Sequence, residues 1–255
     1  MAKKTTITGH CIVKNEDRFI WFAINSVLPY LDRLLIYDTG STDKTVEIVK
    51  SIKSKKIFFE EMGPVTPEKL TFLRGEQIKK TDTDFFFILD GDEIWPEKSI
   101  KKFISSLITL PQDKLAVFCK TRNAVGDVFH YLPEDAGRYK LAGRSGHLNI
   151  RAYRNISGWT VIRTYPLEVY VYNKKAINDQ PDKLQFLDVW YLHCTHLSRS
   201  TIGHNPKFKY ELGIPMRNDE LPKVFSKSPD RRSKFYFLRS LVETPLRRIR
   251  RKILQ

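Results

Sequence analysis

A chain of 255 residues with 41% hydrophobic and 12% aromatic residues fits one large domain with a small appendage and excludes a disordered polymer. Its net charge of +15 is uneven: residues 206–255 hold 14 Lys+Arg against 5 Asp+Glu, a net +9, which suits an anionic surface, membrane or nucleic acid. Three scattered cysteines (Cys11, Cys119, Cys194) argue against a disulfide framework or a C-x-x-C zinc site, no stretch is apolar enough to span a membrane, and the opening MAKKTTITGH lacks the apolar core of a signal peptide, so a cytoplasmic protein is expected.

Taken in order, residues 7–13 read as a first strand, followed by a polar loop at Lys14, Asn15 and Glu16. Phe19, Ile20, Phe22, Ala23 and Val27 recur at helical spacing, with Asp17 as the expected N-cap and Pro29 as the stop. Residues 34–37 read as a second strand, ending in the turn-rich loop from Asp38 to Asp43 that opens a helix. Residues 57–59 predict a short third strand and 67–80 a helix with Leu70, Leu73 and Ile78 inward. The run Phe85 to Leu89 reads as a strand buried on both faces. Pro96 opens another helix with Ile100, Phe103, Ile104 and Leu107 inward, and residues 115–119 form the next strand. Strands alternating with helices at these lengths predict βαβ units and a mainly parallel sheet.

Beyond residue 120 the pattern loosens. Segments 147–155 and 159–172 are expected as strands of a mixed or antiparallel extension, and 189–192 as a strand followed by His193 and His196. From Arg231 a helix is expected, broken or restarted at Pro245, with Leu246, Ile249 and Ile253 continuing an apolar stripe flanked by Arg247, Arg248, Arg250, Arg251 and Lys252. Such a helix either docks on the domain or lies on an anionic bilayer. The expected division is a catalytic domain over 1–205 and a basic, partly helical extension over 206–255.

The strand Phe85 to Leu89 stops abruptly in Asp90, Gly91, Asp92 and Glu93. Carboxylates crowded at one strand end raise one another's pKa, and a divalent cation relieves that cost. Mg²⁺ or Mn²⁺ takes one or two carboxylates together with substrate phosphates. Ligands of open α/β sheets bind at the carboxyl ends of strands. A metal–diphosphate site at Asp90 and Asp92 is therefore expected, against the simpler reading of an acidic turn. The βα loops should bring Asn15 and Glu16, the Asp38 to Asp43 loop and Asp90 to Glu93 to one edge.

The set I-x-x-H-C-I-V-K-N-E, L-I-Y-D-T-G-S-T-D-K-T and F-I-L-D-G-D-E-I-W, in this order, resembles family 2 glycosyltransferases of the GT-A fold. It is similar in particular to bacterial members acting on lipopolysaccharide core and other cell-envelope glycans. The resemblance spans about residues 7–110 closely and reaches about residue 200. It implies an α/β, Rossmann-like sheet and a nucleotide-sugar donor, a UDP-sugar first among them. It places Val13, Asn15 and Glu16 along the nucleotide pocket, Asp38 on the base or ribose, and Arg74, Asp90 and Gly91 near the donor. Asp92 and Asp90 would hold Mn²⁺ or Mg²⁺, with a later histidine, His193 or its neighbour His196, as a further ligand. It also implies inversion and a general base after an R-x-F-R-N-like stretch, here Arg151 to Asn155. The family's His-Glu pair is replaced by Leu167-Glu168, so Glu168 is the expected base. The acceptor would be a glycan or a lipid-linked sugar.

Alternatives stand beside this. Glu134 or Asp135 is the other candidate base, and a solvated loop their simpler role. Asp43 reads as a first-turn residue favoured by the helix dipole. Arg138 and Arg144 are candidate phosphate or acceptor contacts. A nucleotidyltransferase would need a glycine-rich phosphate loop, which His10 to Glu16 lacks, and a dinucleotide oxidoreductase would need G-x-G-x-x-G. A nucleic-acid-binding protein explains the charge but not the acidic edge, so no nucleic acid is expected.

Overall fold

The computed structural model describes residues 4–137, 139–203, 207–226 and 231–253. Arg138, and the expected domain boundary at 205/206, lie outside the described residues. Strand β1 (Ile7–Val13) sits at the centre, parallel to β2 (Arg33–Asp38) on one side and β4 (Phe85–Asp90) on the other. β3 (Ile57–Glu61) extends the parallel half beyond β2. β10 (Leu148–Arg154) then pairs antiparallel with both β4 and β6 (Ala116–Val125). β14 (Leu184–His193) runs parallel to β6, and the two-residue β5 (Glu93–Ile94) pairs antiparallel with the end of β14. β7 (Asp127–Tyr131) folds back on β6, and β15 (Ile214–Pro215) adds to β7. The result is the expected mixed sheet with a parallel half.

Alternation along β4 shows why that strand is apolar at every position. Phe85, Phe87 and Leu89 face one core layer with α1 (Ile20–Val27), α2 (Thr45–Ser51) and α4 (Glu97–Ile108). Phe86 and Ile88 face the other, among Tyr153, Trp159 and Leu184. Both faces of the strand are dry, so no polar residue has a place until the chain leaves the sheet at Asp90. α3 (Pro67–Lys79) buries little apolar surface. Instead its Gln77 is fully buried and donates to the carbonyls of Cys11 and Leu35 at 3.1 and 3.2 Å. Asn15 adopts φ +53, its N–H donates to Ser41 Oγ, and its Oδ1 accepts from Thr42 N–H at 2.8 Å, which ties the loops after β1 and β2 together.

Four expectations need correction. Asp17 does not cap α1: its carboxylate accepts from Thr201 N–H and hydroxyl, and the residue before the helix, Phe19, makes no side-chain cap. Segment 159–172 is not one strand but two, β11 (Trp159–Ile162) and β12 (Val169–Tyr172). With β13 (Lys175–Ala176) they form a small separate sheet. β6 and β14 run to ten residues each, well past the apolar cores that announce them. Pro245 neither breaks nor restarts the last helix: α5 (Lys234–Ile253) passes through it. Between β6 and β10, β8 (Tyr139–Leu141) and β9 (Arg144–Gly146) form a short hairpin.

The segment before α5 packs into the main body. Met216 and Phe225 join a buried cluster with Phe19, Ile94 and Leu192. Tyr236 of α5 sits against Gly126, where φ is +79 and a Cβ would come within 2.5 Å of the tyrosine ring. The side chains α5 buries are Tyr236, Ser240 and Thr244. Most of its apolar side chains face out: Phe235, Leu238, Val242, Leu246, Ile249 and Ile253 are more than half exposed, and Phe237 and Leu241 somewhat less. No helix among the described residues is long and apolar enough to cross a membrane, and the cysteines are free and buried.

Candidate active site

A cleft of about 650 Å³ opens where the carboxyl ends of β1 and β4 meet the loop after β14. Val13, Asn15, Glu16, Arg74, Asp90, Gly91, Asp92, Glu168 and His193 all line it. Asp38 does not. It is buried at the end of β2, where its Oδ1 accepts from the N–H groups of Gly40 and Ser41 at 3.0 and 2.9 Å, while its Oδ2 has no hydrogen-bond partner. Gly91 sits in a close approach: a Cβ there would stand 3.0 Å from both Val13 and Glu16 side-chain carbons, which would have to give way.

The carboxylates are held by arginines. Arg151 reaches Glu93 in a buried pair and Asp90 at 3.5 Å, and its Nε donates to Tyr191 Oη at 2.8 Å. Arg74, on α3, lies 3.7 Å from Asp90 and 3.3 Å from Glu168, so it joins the end of β4 to the residue just before β12. Arg199 bonds Glu16 at 2.9 Å and lies 3.6 Å from Asp92 Oδ2. His193, placed by the pairing of β14 with β5, brings Nε2 to 3.3 Å from Asp92 Oδ1. The backbone N–H of Cys194 donates to the Asp92 carbonyl at 2.9 Å and fixes that approach.

These contacts sort the charges. For Asp92, burial opposes ionisation, but His193 and then Arg199 outweigh it, and the carboxyl is held below its ordinary range. Asp90 is lowered too, against burial, by Arg151 and Arg74. Glu16 goes the other way: burial first, and the Asp92 charge second, raise it despite Arg199. Glu93 is pushed up to about 8 by burial, with Arg151 opposing. The cleft thus keeps two ionised aspartates flanked by glutamates biased towards their neutral forms.

Among the described residues no three His, Cys, Asp or Glu side chains converge as a ready-made metal cage. The two aspartates nevertheless fit a hard cation. Asp92 Oδ2 is buried without a hydrogen-bond partner, a costly state that a cation would relieve. Asp90 is a third exposed beside it. Two carboxylates with room for phosphate oxygens is the donor set Mg²⁺ or Mn²⁺ ordinarily takes.

Other candidates lie elsewhere. His196 Nδ1 donates to the Lys207 carbonyl at 2.9 Å, its Nε2 faces Lys209, and the side chain does not line the cleft. Asp43 accepts from Thr45 and Ser200 and serves the loop. Glu134, largely exposed, pairs with Lys120, and Arg144 stacks on Phe186. Neither Glu134 nor Asp135 lines the cleft. Arg199 and the pairing of Arg151 with Glu93 had no sequence signal beyond an arginine in a motif and an acidic turn.

The family model of glycosyl transferase family 2 matches residues 11–170. A curated relative from Methanococcus voltae, a dolichyl N-acetyl-alpha-D-glucosaminyl phosphate 3-beta-D-2,3-diacetamido-2,3-dideoxy-beta-D-glucuronosyltransferase, is 35% identical over 97 residues, covering 34% of this chain and 29% of its own length. S. aureus TarS 1–349 in complex with UDP-GlcNAc superposes with a TM-score of 0.53 at 13% identity, over 79% of this chain and 60% of that one. The longer TarS structure gives 0.50 at 12%, over 76% and 38%. This chain therefore spans under a third of the curated relative and about 60% of the shorter TarS chain, and these structural likenesses establish a shared fold. With the family model covering more than half of its length, the chain belongs to glycosyl transferase family 2.

Proposed function

We propose that the protein is a metal-dependent, inverting glycosyltransferase that moves a sugar from a nucleotide-sugar donor, a UDP-sugar in the first instance, to a hydroxyl of a cell-envelope glycan or lipid-linked acceptor. The observation that carries this is the Asp90–Gly91–Asp92 turn at the mouth of a buried strand. Both aspartates are kept ionised, and one buried oxygen of Asp92 lacks a hydrogen-bond partner. The relatives agree in chemical class: one is named as a glucuronosyltransferase, the other was crystallised with UDP-GlcNAc.

Asp92 and Asp90 would hold Mn²⁺ or Mg²⁺, with His193 beside them. When bound, the ion supplies positive charge to the departing diphosphate. Val13, Asn15 and Glu16 line the nucleotide side of the cleft. Glu16 stands there bonded to Arg199, which offsets its charge. Asp38, buried behind the cleft, holds the turn after β2 through the N–H groups of Gly40 and Ser41. Glu168 accepts the proton of the attacking hydroxyl, and inversion requires it opposite the leaving group. Arg74 bonds Glu168 and orients it while also facing Asp90. α5 carries exposed apolar side chains beside a basic run, which suits a peripheral seat on an anionic cytoplasmic membrane face where a lipid-linked acceptor resides.

A calorimetric panel of UDP-, GDP-, dTDP- and CMP-sugars tests the reading, run with Mn²⁺, Mg²⁺ or chelator on wild type and Asp92→Ala. One nucleotide class should bind only with metal, and Asp92→Ala should abolish it. Absence of binding under every condition would overturn the donor site.

A further inference from the structure

A second cavity, of about 560 Å³, lies between α5 and the sheet. It meets the donor cleft at Tyr139, Asn149, His193, Thr195 and Lys207, which line both. The two cavities differ in their balance of charge. The donor cleft sets Glu16, Asp90, Asp92 and Glu168 among matching cations, Arg74, Arg151 and Arg199 included; the second is lined by Lys207, Lys209, Arg247, Arg250 and Arg251, with Glu211 as the carboxylate among its described lining residues.

The fold holds these cations in place. Tyr236 Oη donates to the Lys209 carbonyl at 2.6 Å and accepts from Glu211 N–H at 3.0 Å. Thr244 Oγ1 accepts from Leu212 N–H at 2.9 Å. α5 is thereby pinned along residues 209–212. Glu211 is already engaged by Arg251, and Arg247 turns one nitrogen to Glu243 at 2.8 Å. Arg247 Nε and Arg251 Nε are buried without hydrogen-bond partners. Lys209 faces an imidazole, His196, at 3.2 Å. Burial lowers the basicity of Lys209, Glu211 opposes this, and Arg247 and Arg251 add to it. Cations this close, with donors left over, cost free energy until an anion arrives.

We propose that this chamber binds a phosphate-class group carried by the acceptor, holding the acceptor at the shared mouth beside His193. The proposal rests on the glycosyltransferase reading for the word acceptor; the anion site itself does not. A chamber whose mouth opens on the donor cleft can hold the far end of a second substrate, and planar guanidinium groups suit phosphate oxygens. The acceptor class is then a phosphorylated or phosphate-linked sugar rather than a neutral glycan.

The test uses the full chain in chelator and titrates inorganic pyrophosphate by calorimetry, with variants of the chamber alone assigning the site. Wild type should bind. Lys209→Gln with Arg250→Gln should weaken binding about tenfold or more. Lys53→Gln with Lys55→Gln, exposed and remote, should change nothing. Arg250→Gln alone, at an exposed side chain, keeps the test open if the double variant is poorly folded, and should show a smaller loss in the same direction. No binding by wild type, or equal loss in the remote variant, overturns the chamber. A second arm measures sedimentation with phosphatidylglycerol vesicles. If the chamber variant loses vesicles but keeps pyrophosphate, the cations serve lipid headgroups and the proposal fails. Nucleotide-sugar binding with Mn²⁺ is read separately. Its absence alongside intact pyrophosphate binding sinks the donor reading and leaves the chamber standing.

Discussion

The carboxylate-bearing cleft and the basic chamber share a mouth but are made by different means. Cleft carboxylates are short side chains at the ends of central strands, fixed by backbone that has nowhere else to go. The ionised and half-neutralised groups there are matched by arginines: Arg151 for Glu93 and Asp90, Arg74 for Asp90 and Glu168, Arg199 for Glu16 and Asp92. The chamber cations are long side chains on a terminal helix and a loop, and Glu211 and Glu243 engage only part of them. Thus the cleft is electrically close to complete and lacks a hydrogen bond at one buried oxygen of Asp92, whereas the described residues of the chamber hold more cations than anions. A charge on a strand end is positional and intolerant of change; a charge on a helix surface is collective and tolerant.

The sharpest break between the two should come from Asp92. Asp92→Asn keeps the shape but removes the ionised oxygen, and activity should fall on the order of 10³-fold. The protein should stay folded with a modestly lower melting temperature, because the pairs with His193 and Arg199 are lost with the charge while repulsion from the neighbouring carboxylates is relieved. Steady-state kinetics beside a thermal melt decide it: an active variant, or one inactive because it unfolds, dissolves the distinction. Next in size is Arg151→Met. It strands Glu93 and Asp90 in a dry interior and should cost about 3–5 kcal/mol in urea unfolding. Arg250→Gln, in the chamber, should leave the urea midpoint unchanged. Similar costs for both would mean that the cleft is as tolerant as the chamber.

That contrast also explains what could be read from sequence. The parallel half was legible because each element announces itself: a doubly buried strand has to be apolar throughout, as Phe85 to Leu89 is, and its end has to be where polar chemistry begins. Nine of the ten expected site residues line one cleft, as the βα rule requires, and Asp38 stands behind it. What was not legible depends on distant pairing. Arg199 meets Glu16 from a loop more than 180 residues away, and nothing near Arg199 marks it. Asp17 carries an N-cap signature, yet the Thr201 N–H and hydroxyl compete for its oxygens and win. Pro245 reads as a break, but α5 docks through Tyr236, Ser240 and Thr244 on one side, and that docking carries the helix past the missing N–H. The separate sheet of β11 to β13 was hidden because its turns lie inside a stretch of uniform aromatic and polar composition.

A smaller effect follows from His10, buried in the parallel half and stacked on Phe86. Thr81 Oγ1 already donates to the Gln77 carbonyl, so His10 Nε2 must donate to Thr81, 2.6 Å away, and Nδ1 is left buried without a partner. Burial, then Arg74, lowers its pKa to about 3. A histidine lowered from 6.5 in the unfolded chain stabilises fully above pH 6.5 and loses that stability as pH falls toward 3. By pH 5 the loss should be about 2 kcal/mol. Urea midpoints at pH 7.5 and 5 should show it in wild type, and His10→Phe should flatten the slope. An unchanged slope in the variant would assign the acid sensitivity to the carboxylate cluster instead.

The smallest effect should come from the outward face of α5, and it probes the tolerant side of the comparison. Leu246 and Ile249 are each more than half exposed, beside the basic run of Arg247, Arg248, Arg250 and Arg251. In water they contribute little, so Leu246→Ser with Ile249→Ser should leave the melting temperature in place. On an anionic bilayer the same side chains enter the headgroup boundary and add to the attraction of the arginines. Losing both should weaken sedimentation with phosphatidylglycerol vesicles about tenfold, with no change for neutral vesicles, and pyrophosphate binding in the chamber should be untouched. If vesicle binding persists undiminished, charge alone carries it and the apolar stripe belongs to another contact. A concentration-dependent sedimentation coefficient lost in the same variant would identify that contact as a second copy of the chain. If vesicle and pyrophosphate binding fall together, the two faces of α5 act as one surface, and the division between an inward anion site and an outward membrane face has to be given up.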